Sequence, residues 1–140
     1  MLQYQKPLPF PDQVSQPFWD AARRHEFRLQ YCEHCSRYIH PPKPCCPQCL
    51  GTKLDWRAVA GRGSVHTFAV VHHHGHIPGF EADDVPYVAA LVDLEEQESL
   101  RFLSNVVDCD PSQVHVGMRV QAQFDDVTPE VTLVKFVPVS

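Results

Sequence analysis

The chain is 140 residues long, enough for one ordinary domain or for a small core with an appended module, but not for two large domains. Its longest uncharged apolar stretch, residues 85–92, is far shorter than the roughly 20 residues that a membrane-spanning helix requires. No basic segment followed by a long apolar run marks a secretion signal. We therefore expect a soluble, cytoplasmic protein without a membrane partner.

The net charge of -5 conceals two halves of opposite sign. Residues 1–63 hold nine Lys and Arg against five Asp and Glu, whereas residues 64–140 hold three against twelve. Eight of the thirteen prolines and five of the six cysteines also lie before residue 50. This change in composition indicates a module boundary near Gly61-Arg62-Gly63, where two glycines permit a tight bend.

The N-terminal segment divides into an extended arm and a predicted helix. Four of the first seventeen residues are prolines, which remove backbone donors and fix φ, so this part cannot hold a regular helix. Residues 17–29 have helical periodicity and predict a helix with one buried stripe. The side chains on that stripe are Phe18, Ala22, His25 and Leu29.

The next segment contains two CxxC pairs separated by ten residues, Cys32/Cys35 and Cys46/Cys49. Each CxxC turn brings two thiolates to one side of a tight knuckle, and two knuckles supply the four soft donors that tetrahedral zinc prefers. Without a secretion signal, a disulfide framework explains the pattern less well. We expect a structural zinc rather than a catalytic one, because four protein ligands leave no position for water.

Other potential ligands leave the assignment open. Cys45 could replace Cys46, although the symmetrical spacing favours Cys46, and His34 and His40 are nearby nitrogen donors. Cys109 lies between two aspartates, which raise the pKa of a neighbouring thiol. We therefore expect an ordinary thiol there rather than a nucleophile.

The second half of the chain has the two-residue period of β-strands. In residues 118–125, apolar residues at the even positions alternate with polar ones, and residues 85–94 are apolar on both faces except at Asp93, which predicts a central strand. Five strands in this length suit a small closed barrel of the OB type. The predicted strands are residues 64–72, 85–94, 100–107, 118–125 and 131–137.

In this order, the elements resemble the DUF35 family, whose members combine a zinc ribbon with an OB-fold. The resemblance covers nearly the whole chain from Phe18 onward and implies a mostly β protein with an N-terminal helix, a rubredoxin-like zinc ribbon and a C-terminal five-stranded OB-fold barrel. The expected boundaries are residues 1–30 for the arm and helix, 31–60 for the ribbon and 61–140 for the barrel. The matching segments are FWDAARRHEFRLQYC, CEHC…PPKPCCPQC, AGRGSVHTFAVVH, PYVAALVDL, LRFLSNVV, VGMRVQAQFDD and VTLVKF.

The resemblance also assigns the zinc ligands and exposes two departures. Ser36 stands where the family usually has a glycine behind the first knuckle, which puts the conformation of that knuckle in question. Lys43 ends a Pro-Pro-Lys segment where the family has Pro-Pro-Arg. Neither departure removes a ligand. The ligands carried over are Cys32, Cys35, Cys46 and Cys49.

The function implied by the resemblance is that of a non-catalytic subunit. Family members bind acyl-CoA, or bridge it to a thiolase, a hydroxymethylglutaryl-CoA synthase, an acyltransferase or an aldolase. The basic half of this chain offers Arg and Lys side chains, which suit the phosphates of CoA. The candidates for this contact are Arg23, Arg24, Arg28, Arg37 and Lys43.

Two other functions compete with this interpretation. Zinc ribbons and OB barrels often bind single-stranded nucleic acid, but this requires a positive groove, and the barrel half is strongly acidic. Intrinsic catalysis would have to use Glu81, Asp83 and Asp84, which no nucleophile or phosphate loop accompanies. We therefore expect neither a nucleic-acid partner nor activity of the isolated chain.

The run VVHHHGHIPGF places four histidines in residues 72–76. In an extended segment His72 and His74 share one face and His73 lies on the other, so they cannot reach one ion without a specific fold-back. The glycines and proline that follow predict a loop. We interpret this run as a contact loop for a partner or for acyl-CoA rather than as a metal site.

Overall fold

The computed structural model describes residues 4–139, which form a small three-stranded sheet preceded by a helix and followed by a five-stranded barrel. None of the helices in this part of the chain reaches the length and hydrophobicity that crossing a membrane requires. The elements are α1 (Gln16–Arg23), β1 (Arg28–Cys32), β2 (Arg37–Ile39), β3 (Leu54–Ala58), β4 (Arg62–Val71), β5 (Tyr87–Leu94), β6 (Arg101–Val106), β7 (Arg119–Asp126) and β8 (Thr132–Pro138).

The three-stranded sheet carries the cysteines. Its strands are antiparallel in the order β2-β1-β3, and β1 pairs with β3 from Arg28 opposite Ala58 to Cys32 opposite Leu54. At the cysteine end, the buried cluster consists of two cysteines and Ile39. Such a small cluster cannot stabilise a sheet alone, so this module depends on a cross-link and on packing against its neighbours.

The five remaining strands close into a barrel in the order β4-β5-β6-β8-β7. β6 and β8 run parallel and meet at Val106 and Phe136, while the other neighbours are antiparallel. Near its start, β4 pairs with both β5 and β7 at Gly63, where a Cβ would collide with the backbone carbonyl of Asp93. This is the topology of the OB-fold, and it confirms the predicted fold class.

The predicted alternation of inward and outward residues is present in the barrel. On β7, Val120 is buried, and Ala122 and Phe124, with Met118 just before the strand, pack against the same core. On β5, alternate residues are buried from Val88 to Leu94. The period-two pattern therefore identified the core-facing side chains correctly.

The helix is shorter than the sequence periodicity predicts, and the extension to residue 29 is wrong. α1 ends at Arg23, and His25 has a φ of 62°, which a helix cannot contain. Leu29 lies instead in β1, buried opposite Arg57. Because β1 bonds to a strand on each side, tertiary pairing outweighs the helical period, and Arg28 lies on a strand rather than on a helix face.

An aromatic cluster joins the helix, the ribbon and the barrel into one core. The ring of Phe102 on β6 lies 5.7 Å from Phe18 of α1, 5.1 Å from Phe27, 4.8 Å from His40 and 6.1 Å from Phe136, measured between centroids. Its neighbours therefore include residues of the helix, the ribbon and the barrel. The position of the ribbon on the barrel is set by this packing.

The turn between β5 and β6 adds polar contacts across the same boundary. The backbone N–H of Tyr38 donates to Oε1 of Gln97 at 2.8 Å, and Nε2 of Gln97 donates to the Tyr38 carbonyl at 3.2 Å. The Gln97 side chain thus supplies the edge strand β2 with the acceptor and the donor that a neighbouring strand would otherwise provide. Glu96 accepts from the Ala60 N–H at 2.7 Å. These bonds fix the orientation of the ribbon.

Candidate functional site

The two cysteine knuckles face each other at one end of the three-stranded sheet. Cys32 ends β1 and Cys35 lies in the turn to β2, while Cys46 and Cys49 lie in the loop between β2 and β3. Cys32 and Cys46 are buried, and the other two are partly exposed. The end of β1 with the turn after it supplies two thiols, and the long loop supplies the other two.

The four sulfur atoms all lie within 4.8 Å of one another. The Cys32 and Cys49 Sγ atoms are 3.7 Å apart, and those of Cys35 and Cys46 are 3.8 Å apart. Tetrahedral coordination with Zn–S bonds of about 2.3 Å separates the sulfurs by about 3.8 Å. The donor set and its spacing therefore fit a structural zinc, and four protein ligands leave no position for a reacting water.

Backbone donors and crowding set the pKa values of the metal-free thiols. Burial, followed by hydrogen bonds with the other thiols, raises the pKa of Cys35 to about 12. The backbone N–H groups of Cys49 and Gln48 lower the pKa of Cys46 to about 6. Four adjacent thiols cannot all ionise without a cation between them, so zinc binding would release protons.

The other potential ligands lie outside this cluster. Within residues 4–139, the group with metal-ligand geometry contains Cys46 and not Cys45. His34 is exposed and lines a hollow beside the cluster, together with Lys53. His40 faces the barrel, where its ring stacks on Phe102 with an interplanar angle of 22°.

Both knuckles contain a left-handed residue directly after their second cysteine. Ser36 has a φ of 54° and Leu50 has a φ of 59°. The first knuckle therefore forms although Ser36 replaces the usual glycine. A left-handed backbone costs an L-residue roughly 1–2 kcal/mol, and Leu50 is also 73% exposed. Sequence reasoning missed Leu50, although a leucine after CPQC, where the turn favours glycine, was a visible signal.

The partly buried His40 predicts a pH-dependent stability. Burial lowers its pKa to about 4 from 6.5, so its neutral form stabilises the fold above pH 6.5, and this contribution is lost as the pH falls towards 4. From pH 7 to 5.5, the wild-type protein is expected to lose about 1 kcal/mol more unfolding free energy than His40→Phe. Urea titrations of both proteins at each pH, with zinc present, measure the difference. Equal pH slopes would contradict this environment for His40.

The predicted phosphate-binding cations lie in three places. Arg37 and Lys43 line one groove of about 240 Å³ between the ribbon and the barrel, together with Tyr38, Pro41 and Ser99. Its further lining residues are Ile39, His40, Cys46, Pro47, Gln48, Gln97 and Leu100.

The other three arginines lie elsewhere. Arg23 lines a separate groove with Trp19 and residues of the N-terminal arm. Arg24 and Arg28 both bind Glu26, with Nε···O distances of 2.8 and 3.1 Å, and these hydrogen bonds hold the pKa of Glu26 below its usual value. The structure therefore brings together two pairs of the five candidates, and of these pairs only Arg37 and Lys43 share a groove.

The histidine run lies in the loop after β4. The rings of His73 and His74 stack 5.6 Å apart, and no metal-ligand group in residues 4–139 includes a histidine of this loop. The N-terminal arm crosses the same loop: Lys6 pairs with Asp84 at 3.0 Å and lies over the ring of Phe80. The backbone N–H of Glu81, followed by Lys6, holds the pKa of Asp84 below its usual value.

Comparison with protein families gives two adjacent matches. Residues 19–55 match the family described as ChsH2, rubredoxin-like zinc ribbon domain. Residues 56–125 match the family described as ChsH2, C-terminal OB-fold domain. The matches correspond to the ribbon and the barrel, but their common boundary falls inside β3 and the second match ends before β8.

Individual relatives and a solved structure extend this result. A probable enoyl-CoA hydratase alpha subunit from Thermomonospora curvata is 39% identical over 86% of this chain, and a DUF35 domain-containing scaffold protein from Methanothermobacter thermautotrophicus is 33% identical over 77% of this chain and 78% of its own length. This chain spans about a third of the length of the hydratase alpha subunits that it matches.

The solved structure described as the Ltp2-ChsH2(DUF35) aldolase contains a chain that is 36% identical to this one. The alignment covers 94% of this chain and 98% of that chain, with a TM-score of 0.83. Sequence, zinc-ribbon geometry and barrel topology therefore agree, and the chain belongs to the DUF35 family of zinc-ribbon and OB-fold proteins.

Proposed function

We propose that this chain is a non-catalytic scaffold subunit that partners a thiolase-like enzyme acting on acyl-CoA. The observation that carries the proposal is its similarity, over almost its whole length, to the ChsH2 chain of an aldolase complex with Ltp2. The closed cysteine site is consistent with this role, because its zinc would organise the ribbon rather than react.

Binding to purified Ltp2 aldolase tests the scaffold role. We expect the zinc-loaded chain to co-elute with Ltp2 in size-exclusion chromatography with light scattering, at a fixed stoichiometry. The isolated chain should show no sustained release of free thiol from acyl-CoA thioesters. Separate elution at all concentrations, or steady thioester turnover by the chain alone, would argue against the proposal.

The proposal includes binding of acyl-CoA. The groove between the ribbon and the barrel is the position that supports such binding best. Neither Arg37 nor Lys43 forms an ion pair with another residue of the described chain. An arginine fork and a lysine point charge in one groove match the several phosphate oxygens of CoA. Tyr38 and Pro41 line the same groove and offer apolar surface to the pantetheine arm.

Charge removal in this groove is expected to weaken CoA binding. Arg37→Ala and Lys43→Ala should each raise the Kd for CoA, and the double variant should raise it at least about tenfold, which corresponds to 1.4 kcal/mol. Isothermal titration of CoA into the chain, alone and with Ltp2, measures this. Arg119→Ala removes an equal charge from the exposed face of β7 and serves as the control. Equal losses in all variants would indicate a general charge effect instead of a site.

A further inference from the structure

The second zinc knuckle carries a side chain that the zinc site does not need. Ser36 and Leu50 occupy equivalent left-handed positions, but Leu50 is branched, apolar and 73% exposed. Glycine or asparagine adopts this backbone with less strain. At that exposure, the leucine also buries little of its apolar surface. Because Leu50 is unfavourable both for the backbone and for hydration, its position points to a role in binding.

The backbone around Leu50 is held firmly. Its N–H donates to the Cys46 carbonyl at 2.8 Å, and the Cys46 N–H donates to the Gly51 carbonyl at 3.0 Å. The Gly51 N–H donates to Cys49 Sγ at 3.4 Å, which ties the segment to the thiol cluster. A side chain presented on such a fixed turn loses little conformational freedom when it binds.

A cation lies beside the same knuckle. Lys53 lines a hollow together with Cys49 and Gly51, the residues on either side of Leu50. Among the described residues, Lys53 has no ion-pair partner. An exposed apolar side chain beside a free cation is complementary to an apolar socket that carries a carboxylate.

We propose that the knuckle tip, defined by Leu50 with Lys53, docks into the partner enzyme, with the leucine side chain in an apolar socket and a partner carboxylate facing the lysine. This inference rests on the proposed function, because the occupant is the thiolase-like subunit. A nucleic-acid strand fits the tip less well, since leucine offers no ring for base stacking.

A substitution that removes the backbone strain at position 50 should weaken partner binding without destabilising the fold. Leu50→Gly and Leu50→Asn are expected to keep one zinc and an unchanged or higher Tm, while the Kd for purified Ltp2 rises at least tenfold. Ser36→Gly is the matched control, because it relieves the same left-handed position on the first knuckle without removing apolar surface. Biolayer interferometry, metal analysis and thermal unfolding of the full chain give the three readouts.

The outcomes distinguish this surface from the scaffold role. If wild-type, Leu50→Gly and Leu50→Asn chains bind Ltp2 equally, the knuckle-tip proposal is overturned and the scaffold role stands. If the wild-type chain does not bind Ltp2, both are overturned. The knuckle-tip proposal also fails if Ser36→Gly weakens binding as much as Leu50→Gly, or if the leucine variants only dissociate a homodimer of this chain.

Discussion

Replacing Cys46 by serine is expected to remove the zinc and unfold the ribbon. A hydroxyl does not replace a thiolate, and the remaining three sulfurs cannot complete the tetrahedron around the ion. Structural zinc contributes about 10 kcal/mol or more to the folding of small zinc domains, so the unfolding free energy should fall by at least about 5 kcal/mol. Metal analysis of the purified protein and urea titration monitor the two effects.

Cys45→Ser is the control for this prediction. Cys45 is the preceding residue and is partly buried, but it lies outside the group of four sulfurs. The Cys45→Ser protein should therefore keep one zinc per chain and the wild-type unfolding midpoint. A Cys46→Ser protein with full zinc content, or a Cys45→Ser protein without zinc, would show that the metal uses a different ligand set.

Truncation of Phe102 is expected to have the second largest effect. The ring lies between Phe18 of the helix, His40 of the ribbon and Phe136 of the barrel, so alanine leaves a cavity where all three parts meet. Removal of a buried phenylalanine costs about 3–5 kcal/mol. For a chain of this size, the Tm should fall by about 10 °C. Calorimetry of the zinc-loaded protein measures this change.

Leu103→Ala tests whether the effect of Phe102→Ala comes from the loss of a buried ring rather than from any truncation on β6. Leu103 is the next residue on the same strand, but its side chain points outward and is 67% exposed. The alanine variant should change the unfolding free energy by less than about 0.5 kcal/mol. Equal destabilisation by the two variants would mean that the outer face of β6 is covered by something other than solvent.

Local patterns predicted the architecture well, because they reflect the same forces that build it. The CxxC spacing determines how two knuckles meet, and the thiols of Cys32 and Cys46 lie close together as expected. The two-residue alternation in the barrel predicted Val120 as a core residue, because burial of one sheet face is what such a pattern encodes.

The features that the sequence did not predict depend on contacts between distant segments. Leu29 fits a helical stripe, but it lies in β1, where it pairs with Arg57 of β3. Histidine is a common metal ligand, but the His40 ring stacks on Phe102, a residue distant in sequence, and therefore lies against an apolar surface. The five candidate cations looked alike in sequence, and only the fold separates the pair in one groove from those bound to Glu26.

The contacts between the β5–β6 turn and the ribbon also limit how this protein can be recombined with its relatives. Gln97 and Phe102 belong to the barrel, yet they hold Tyr38 and His40 of the ribbon. The boundary between the two matched family regions, at residues 55 and 56, falls inside β3, a strand of the ribbon sheet. A chimera joined there would divide one strand and separate both sets of partners. Because β7 and β8 close the barrel against β4 and β6, the smallest segment that can be exchanged intact extends from the helix through β8.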